Sequence, residues 1–276
     1  MISFTNFLFA PGNRADRINK ALESNADLVC MDLEDSVPAT EKHTARAVTL
    51  DFLATHRTPR LALRINGLMT RAGIEDLIAL SHSDVRPDIL FLPMVEAPRE
   101  AEQVASILGP DCPHLIPLIE TVRGLRNADA IGAVNAVSAL MFGGGDLSAE
   151  LGVALAWEPL LAARSALVMS CATNRIPAID VPFIQLDDEA GLRAETVAAK
   201  TLGFSAKAAI HPRQLDAIAS VLHPTEAEIK EAGEAIAAFD AAGGRAISFR
   251  GRMLEAPVMQ RYRRIAAANK SIEILL

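Results

Sequence analysis

Residues 89–108 read ILFLPMVEAPREAEQVASIL. Four apolar residues, Ile89–Leu92, precede Pro98 and then Ala101, Val104, Ala105 and Leu108. The first run has the length and continuity of a strand buried on both faces. The i, i+3, i+4, i+7 spacing of the second sets one apolar stripe on an amphipathic helix. The same unit recurs in both directions. Apolar runs at Phe7–Ala10, Leu28–Leu33, Leu61–Ile65, Leu115–Ile119, Val137–Phe142, Ala178–Asp180 and Ala206–Ile210 alternate with segments of helical periodicity. Helices are expected behind Asn13 as N-cap, from about Thr40 to Leu53, from Arg71, from Pro98, across Leu160–Thr173 and across Ala194–Ala198. Eight strand–helix units in about 220 residues match a (β/α)8 TIM barrel. A doubly wound open sheet has a similar rhythm with fewer repeats. No G-x-G-x-x-G follows the first run, and no phosphate-binding loop motif occurs anywhere.

The barrel is expected over residues 1–222, with a C-terminal helical extension, a lid or an exchanged arm, over residues 223–276. Behind Pro224, Thr225 and Glu228 form a Thr-x-x-Glu capping box that opens a helix ending near Gly243-Gly244. A short apolar piece, Ala246–Phe249, then leads through Gly251–Pro257 to an arginine-rich helix.

Composition narrows the class. Half of the 276 residues are hydrophobic and 22% are charged, which excludes a disordered chain. Asp plus Glu number 34 against 27 Lys plus Arg, a formal charge of −7, so no nucleic-acid partner is expected. Cys30, Cys112 and Cys171 are widely spaced and form no CxxC, which predicts a reducing, cytoplasmic setting. Apolar residues near the start follow no basic segment and are broken by Pro11-Gly12, so neither a signal peptide nor a membrane span is expected.

Charged residues interrupt the apolar pattern just after the strands, on the face where barrel enzymes build their sites. Glu34 and Asp35 follow the second run, Arg64 ends the third before Asn66-Gly67, and Glu120 follows the fifth. Asp146 follows the sixth through Gly143-Gly144-Gly145, Asp180 ends the seventh, and His211 follows the eighth. Glu120 and Asp146, without Cys or His nearby, suit a hard cation such as Mg²⁺. Each also has a plain role as a helix cap. The glycine run lets backbone approach a ligand, which marks Gly144 and Gly145 as substrate-binding candidates together with Asn66. Arg64, embedded in an apolar strand, needs an anionic partner: a substrate carboxylate, an internal pair with Glu34 or Asp35, or both. Asp180 and His211 are candidates for supporting hydrogen bonds, and His211 equally for capping the turn that Pro212 opens. Lys207, among Ala206, Ala208 and Ala209, is the candidate for a Schiff-base nucleophile.

Seven strings occur in one order: FAPGNR (9–14), DLEDSV (32–37), RING (64–67), LPMVE (92–96), IET (119–121), GDL (145–147) and KAAIHP (207–212). In these the chain resembles the citrate lyase beta-subunit-like proteins of the HpcH/HpaI aldolase family, from Phe9 to about Arg264. The resemblance implies a barrel of the phosphoenolpyruvate/pyruvate superfamily type, assembled as a homo-oligomer (trimer or hexamer). It implies Mg²⁺ on Glu120 and Asp146, substrate oxygen on Arg64, and Glu34 and Asp35 as the acidic pair of the rim. The implied activity is carbon–carbon cleavage of citramalyl-, malyl- or citryl-CoA to a 2-oxo acid and acetyl-CoA. Other readings are a free 2-oxo-acid aldolase, a subunit acting on an acyl carrier protein, or a barrel kept for binding or regulation. Two positions depart from the family pattern. Met94 stands where lysine is common, and Glu255 stands where an aspartate from a neighbouring subunit serves as acid/base. From these, residues from about Arg245 onward are expected to cover a neighbour's rim with Glu255.

Overall fold

In the computed structural model, which describes residues 4–275 and the side chains of residues 4–266, each apolar run becomes a parallel strand. These are β1 (Asn6–Pro11), β2 (Leu28–Asp32), β3 (Leu61–Arg64), β4 (Ile89–Leu92), β5 (His114–Ile119), β6 (Leu140–Phe142), β7 (Ala178–Asp180) and β8 (Ala206–Ala209). They pair in sequence order, and β8 closes on β1 through Asn6 and Lys207. The fold is a closed (β/α)8 barrel. Around it run α1 (Ala15–Leu22), α2 (Lys42–Thr55), α3 (Arg71–Ser81), α4 (Pro98–Leu108), α5 (Val122–Arg126), α6 (Ala128–Gly132), α7 (Gly144–Leu151), α8 (Trp157–Asn174), α9 (Glu189–Leu202) and α10 (Leu215–Leu222).

Alternate residues of each strand point inward. Phe7, Cys30, Ala62, Phe91, Ile116, Leu118, Met141, Ile179, Ala206 and Ala208 fill the barrel interior. Phe7 stacks on Phe91 and meets Phe9 edge-on, both at 5.0 Å between ring centres. The intervening residues, such as Leu63, Leu90 and Leu140, are buried on the outer face.

Three local expectations are corrected. Asn13 is not the N-cap of α1; Arg14 holds that position, and the Asn13 amide donates to Glu41 instead. Val137 lies outside β6 and makes one isolated bridge to Leu115. The apolar piece Ala246–Phe249 is half of a hairpin, β9 (Ile247–Phe249) with β10 (Arg252–Leu254). Arg250 and Gly251 at its tip both take positive φ, +49° and +76°, as a tight two-residue hairpin turn requires.

The chain divides into two compact units, Met1–Ser220 and Val221–Leu276. The second contains the hairpin, α11 (Glu226–Ala241) and α12 (Ala256–Leu275), built on Ala232, Ala235, Phe239, Leu254, Met259 and Tyr262. Its capping box forms: Glu228 N–H donates to Thr225 Oγ1 at 3.2 Å, and Thr225 N–H to the Glu228 carboxylate at 2.8 Å. Among the described residues no helix is long and apolar enough to cross a membrane.

Candidate active site

Because side chains alternate, the position two beyond the last interior residue of a strand again faces the axis. The site occupies this next level. Pro11, Asp32, Arg64, Glu120, Gly143, Val181 and Ile210 line a cavity of about 780 Å³ at the C-terminal ends of the strands, the face where barrel enzymes act. Asp35 and Asp146 enter from the loops after β2 and β6, and the start of α1 lines one wall with Arg17, Lys20 and an Arg14–Asp16 ion pair. The floor is apolar, with Phe9, Leu118 and Met141.

Arg64 is buried and held from several sides. Its Nε and Nη2 donate to the two oxygens of Asp32 at 2.7 and 2.8 Å, a planar fork on a carboxylate. Asp32 also accepts the N–H groups of Glu34 and Ser36, which exhausts its lone pairs. Burial would raise the Asp32 carboxyl, but the Arg64 charge and these hydrogen bonds outweigh it and hold it below the usual carboxylate range. Arg64 Nη1 faces Glu34 at 2.8 Å and Asp35 at 3.6 Å, and its carbon sits 4.5 Å over the Phe9 ring. So the expected pairing with Glu34 and Asp35 exists, but the main partner is Asp32. Sequence reading missed that residue. In the structure Asp32 lies two positions after Cys30, on the same inward face as Arg64, to which it is registered directly. Glu34 is pushed up to about 8, first by burial, with Glu120, Asp35 and Asp32 adding to the rise against Arg64.

Glu120 is not a cap; Thr121 takes that role for α5 by accepting Gly124 N–H at 3.0 Å. The Glu120 side chain turns inward, where its Oε2 accepts Met94 N–H at 2.7 Å. Gly143 sits against its other side. A Cβ at Gly143 would lie 2.0 Å from Glu120 Cγ, so only glycine fits. Burial pushes Glu120 up to about 7, with Asp146 and Asp35 raising it and Met94 N–H and Arg64 opposing. Asp146 lies exposed in the first turn of α7, whose N-cap Gly143 offers no side chain. Two carboxylates crowding one cavity, one of them almost fully buried, fit a divalent cation that supplies the missing counter-charge. Among the described residues no group of three or more His, Cys, Asp or Glu gathers to hold a metal. A two-carboxylate site leaves positions open for water and substrate.

The remaining candidates separate. Gly145 lines the cavity, while Gly144 is buried beneath it against Phe142, Leu155 and Val181. Asn66 lines a smaller recess with Glu34, Gly67, Leu68, Met69, Thr70 and Met94, and its N–H and Nδ2 both donate to Asp76. Asp180 and Lys207 point outward from the strands. Lys207 Nζ donates to Asp180 (2.6 Å), Glu195 (2.8 Å) and the Val181 carbonyl (2.8 Å), and Arg164 binds Asp180 from the other side at 3.0 Å. That environment corrects the apolar surroundings expected for Lys207; three acceptors hold its Nζ outside the cavity. His211 lines the cavity edge and caps the turn after β8, its Nδ1 accepting Arg213 N–H at 3.1 Å. Glu255 lies in the second unit, exposed, directly before α12.

A parallel barrel with a carboxylate-clamped arginine and further acids around one cavity at its strand ends has the layout of a barrel enzyme. The chain belongs to the HpcH/HpaI aldolase/citrate lyase family, whose model matches residues 6–212. It is 31% identical to the mitochondrial citramalyl-CoA lyase of Homo sapiens, over 96% of this chain and 85% of that one. It is 34% identical to a (3S)-malyl-CoA thioesterase of Cereibacter sphaeroides, over 87% of this chain and 84% of that one. Among solved structures it is similar to the CitE protein of Mycobacterium tuberculosis in complex with magnesium, acetoacetate and coenzyme A. That likeness has a TM-score of 0.81 and 28% identity, and covers 97% of this chain and 98% of that one. The chain is an enzyme of the lyase class.

Proposed function

We propose that this lyase cleaves the carbon–carbon bond in the thioester of a 2-hydroxy acid of the citramalyl-, malyl- or citryl-CoA type, whose hydroxyl is β to the thioester carbonyl, releasing a 2-oxo acid and acetyl-CoA. The observation that carries the reading is the shared cavity: the Arg64 guanidinium and the carboxylates of Glu120 and Asp146 line one space. Glu120 and Asp146 would hold Mg²⁺, which supplies Lewis-acid polarisation of a substrate oxygen when bound. Asp32 orients Arg64, and a substrate carboxylate or carbonyl oxygen would reach its Nη1 by taking the place of Glu34, which faces that nitrogen at 2.8 Å. Phe9, Leu118 and Met141 keep the cavity floor apolar, which strengthens each charge contact. A small 2-oxo acid fills only part of about 780 Å³. Arg17 and Lys20, with Arg14 beside its partner Asp16, line one wall and suit a long anionic group such as the thioester carrier.

In the reaction the 2-hydroxyl gives up its proton. The carbon–carbon electron pair passes to the acyl fragment as an enolate, and a proton returns to that carbon. Glu34, pushed up to about 8, holds a proton near neutral pH and is one carboxyl proposed for these transfers. Glu255, supplied by a neighbouring subunit of a homo-oligomer, is the other. The test is release of 2-oxo acid from malyl-, citramalyl- and citryl-CoA with Mg²⁺ present and after chelation. Cleavage of one thioester that stops on chelation is expected. Cleavage that survives chelation, or of free 2-hydroxy or 2-oxo acids alone, overturns the reading.

A further inference from the structure

Among the described residues three non-glycine residues have φ in the left-handed region: Met94 (+56°), Arg175 (+57°) and Arg250 (+49°). Two have ordinary local reasons. Arg175 is the C-cap of α8, a common place for this conformation, and Arg250 is at the hairpin tip. Met94 caps no helix and joins no hairpin. It follows Pro93 in a turn after β4, where a residue with a Cβ is strained and glycine is the natural occupant. What this turn achieves is visible in one contact: Met94 N–H donates to Glu120 Oε2 at 2.7 Å. The next residue returns to barrel geometry, Val95 N–H donating to the Leu118 carbonyl at 3.3 Å. Strain held beside a site is an observation from which a role can be inferred.

We propose that Met94 is a positioning residue: its left-handed backbone delivers an N–H that, with Gly143 on the opposite side, fixes the Glu120 carboxylate in one orientation. The device is the main chain at position 94. This rests on Glu120 being a metal ligand of the proposed reaction only for its functional readout; the orientation of Glu120 is a separate observable. A carboxylate ligand that loses its supporting hydrogen bond loses roughly 10- to 100-fold in metal affinity or turnover.

The test compares Met94→Gly, which keeps the N–H and relaxes the turn, with Met94→Val, whose β-branched side chain resists positive φ. Arg175→Val, with the same strain at a helix end, is the control for stability alone. Magnesium titrated calorimetrically into each protein, kcat and KM on the cleaved thioester, and crystal structures are the readouts. Met94→Gly should keep Mg²⁺ affinity and kcat within about threefold and keep Glu120 in place. Met94→Val should weaken both roughly 10- to 100-fold with KM nearly unchanged and Glu120 displaced. Arg175→Val should lower Tm without moving either. If Met94→Val does not fold, amide-to-ester exchange at Met94 removes the N–H alone and should give the same losses. The inference is overturned if Met94→Val lowers Tm like Arg175→Val yet leaves Glu120 and Mg²⁺ affinity unchanged. It is equally overturned if Met94→Gly loses as much as Met94→Val, since the side chain would then be what matters. Should wild-type protein neither bind Mg²⁺ nor cleave a thioester, the functional reading fails, while the crystallographic comparison still decides the role of Met94.

Discussion

At Glu34 a carboxyl group is buried beside a guanidinium that Asp32 already neutralises in part. Its value in the folded chain, about 8, lies above the ordinary 4.5. The unfolded chain therefore releases this proton first as pH rises, and folding loses stability between about 4.5 and 8. Glu34→Gln removes the ionisation, so its Tm should gain on the wild type progressively across that interval and level off above it. Paired melting curves from pH 5 to 9 check this; a difference that does not vary with pH refutes the burial argument. Gly143→Ala is the steric counterpart. Its methyl must displace Glu120, and misplacement by about 1 Å costs on the order of 100-fold in turnover. Gly145, with nothing within 4 Å of an added Cβ, should accept Ala with stability changed by less than about 0.5 kcal/mol. Urea titration and kcat of the two variants separate these effects. At this scale the sequence showed Arg64, Glu34, Glu120 and Asp146 as candidates, since a charge ending an apolar run stands out. It did not show Asp32, whose inward direction depends on strand parity. Parallel strands buried on both faces carry no polar alternation from which to read it.

The same missing parity explains Lys207. In β8 the sequence Ala206–Ala209 is small and apolar on either side of the lysine, so inward and outward readings look alike. The structure sends Lys207 outward into a chain of charges, Arg164–Asp180–Lys207–Glu195, sealed under α8 and α9. Arg164 adds its guanidinium to two rings, Phe142 at 4.9 Å and Trp157 at 4.7 Å. This cluster ties α8 and α9 to β7 and β8 where helix and strand would otherwise meet through apolar contact alone. Removing one member strands its partners in a dry interior. Lys207→Met should cost about 3–5 kcal/mol by urea denaturation, whereas an exposed i, i+4 pair such as Arg193–Glu189 is worth about 0.3–0.5 kcal/mol. A loss below about 1 kcal/mol would show that the network tolerates rearrangement. Helix starts were legible where chemistry marks them, at Pro98 and Thr225, but not at α1, where Asn13 read as the cap and Arg14 holds that position, nor at α9, whose cap is Asp188. The hairpin was not, since three-residue, half-exposed strands leave too short a pattern.

For the molecule as a whole, the eightfold rhythm made the barrel readable, while the second unit was readable only as helices around a break. The proposal that Glu255 serves a neighbouring subunit has a direct measurement. Asp146→Asn and Glu255→Gln proteins, each inactive alone, should recover part of the activity when their subunits are exchanged. Confirmed mixed oligomers without activity would place the two residues in one chain's site or remove Glu255 from it. Closure of the barrel poses a separate problem. Neighbouring parallel strands share no tight turn, so no local geometry dictates which residue meets which. In β2 and β3, Asp32 meets Arg64. Sliding β3 by one residue turns the guanidinium out among aliphatic side chains; sliding it by two keeps every face correct but sets Arg64 beside Cys30. Either slip leaves a charge stranded without its mate. The pair that clamps the guanidinium at the rim thus also favours the one register in which both charges are matched.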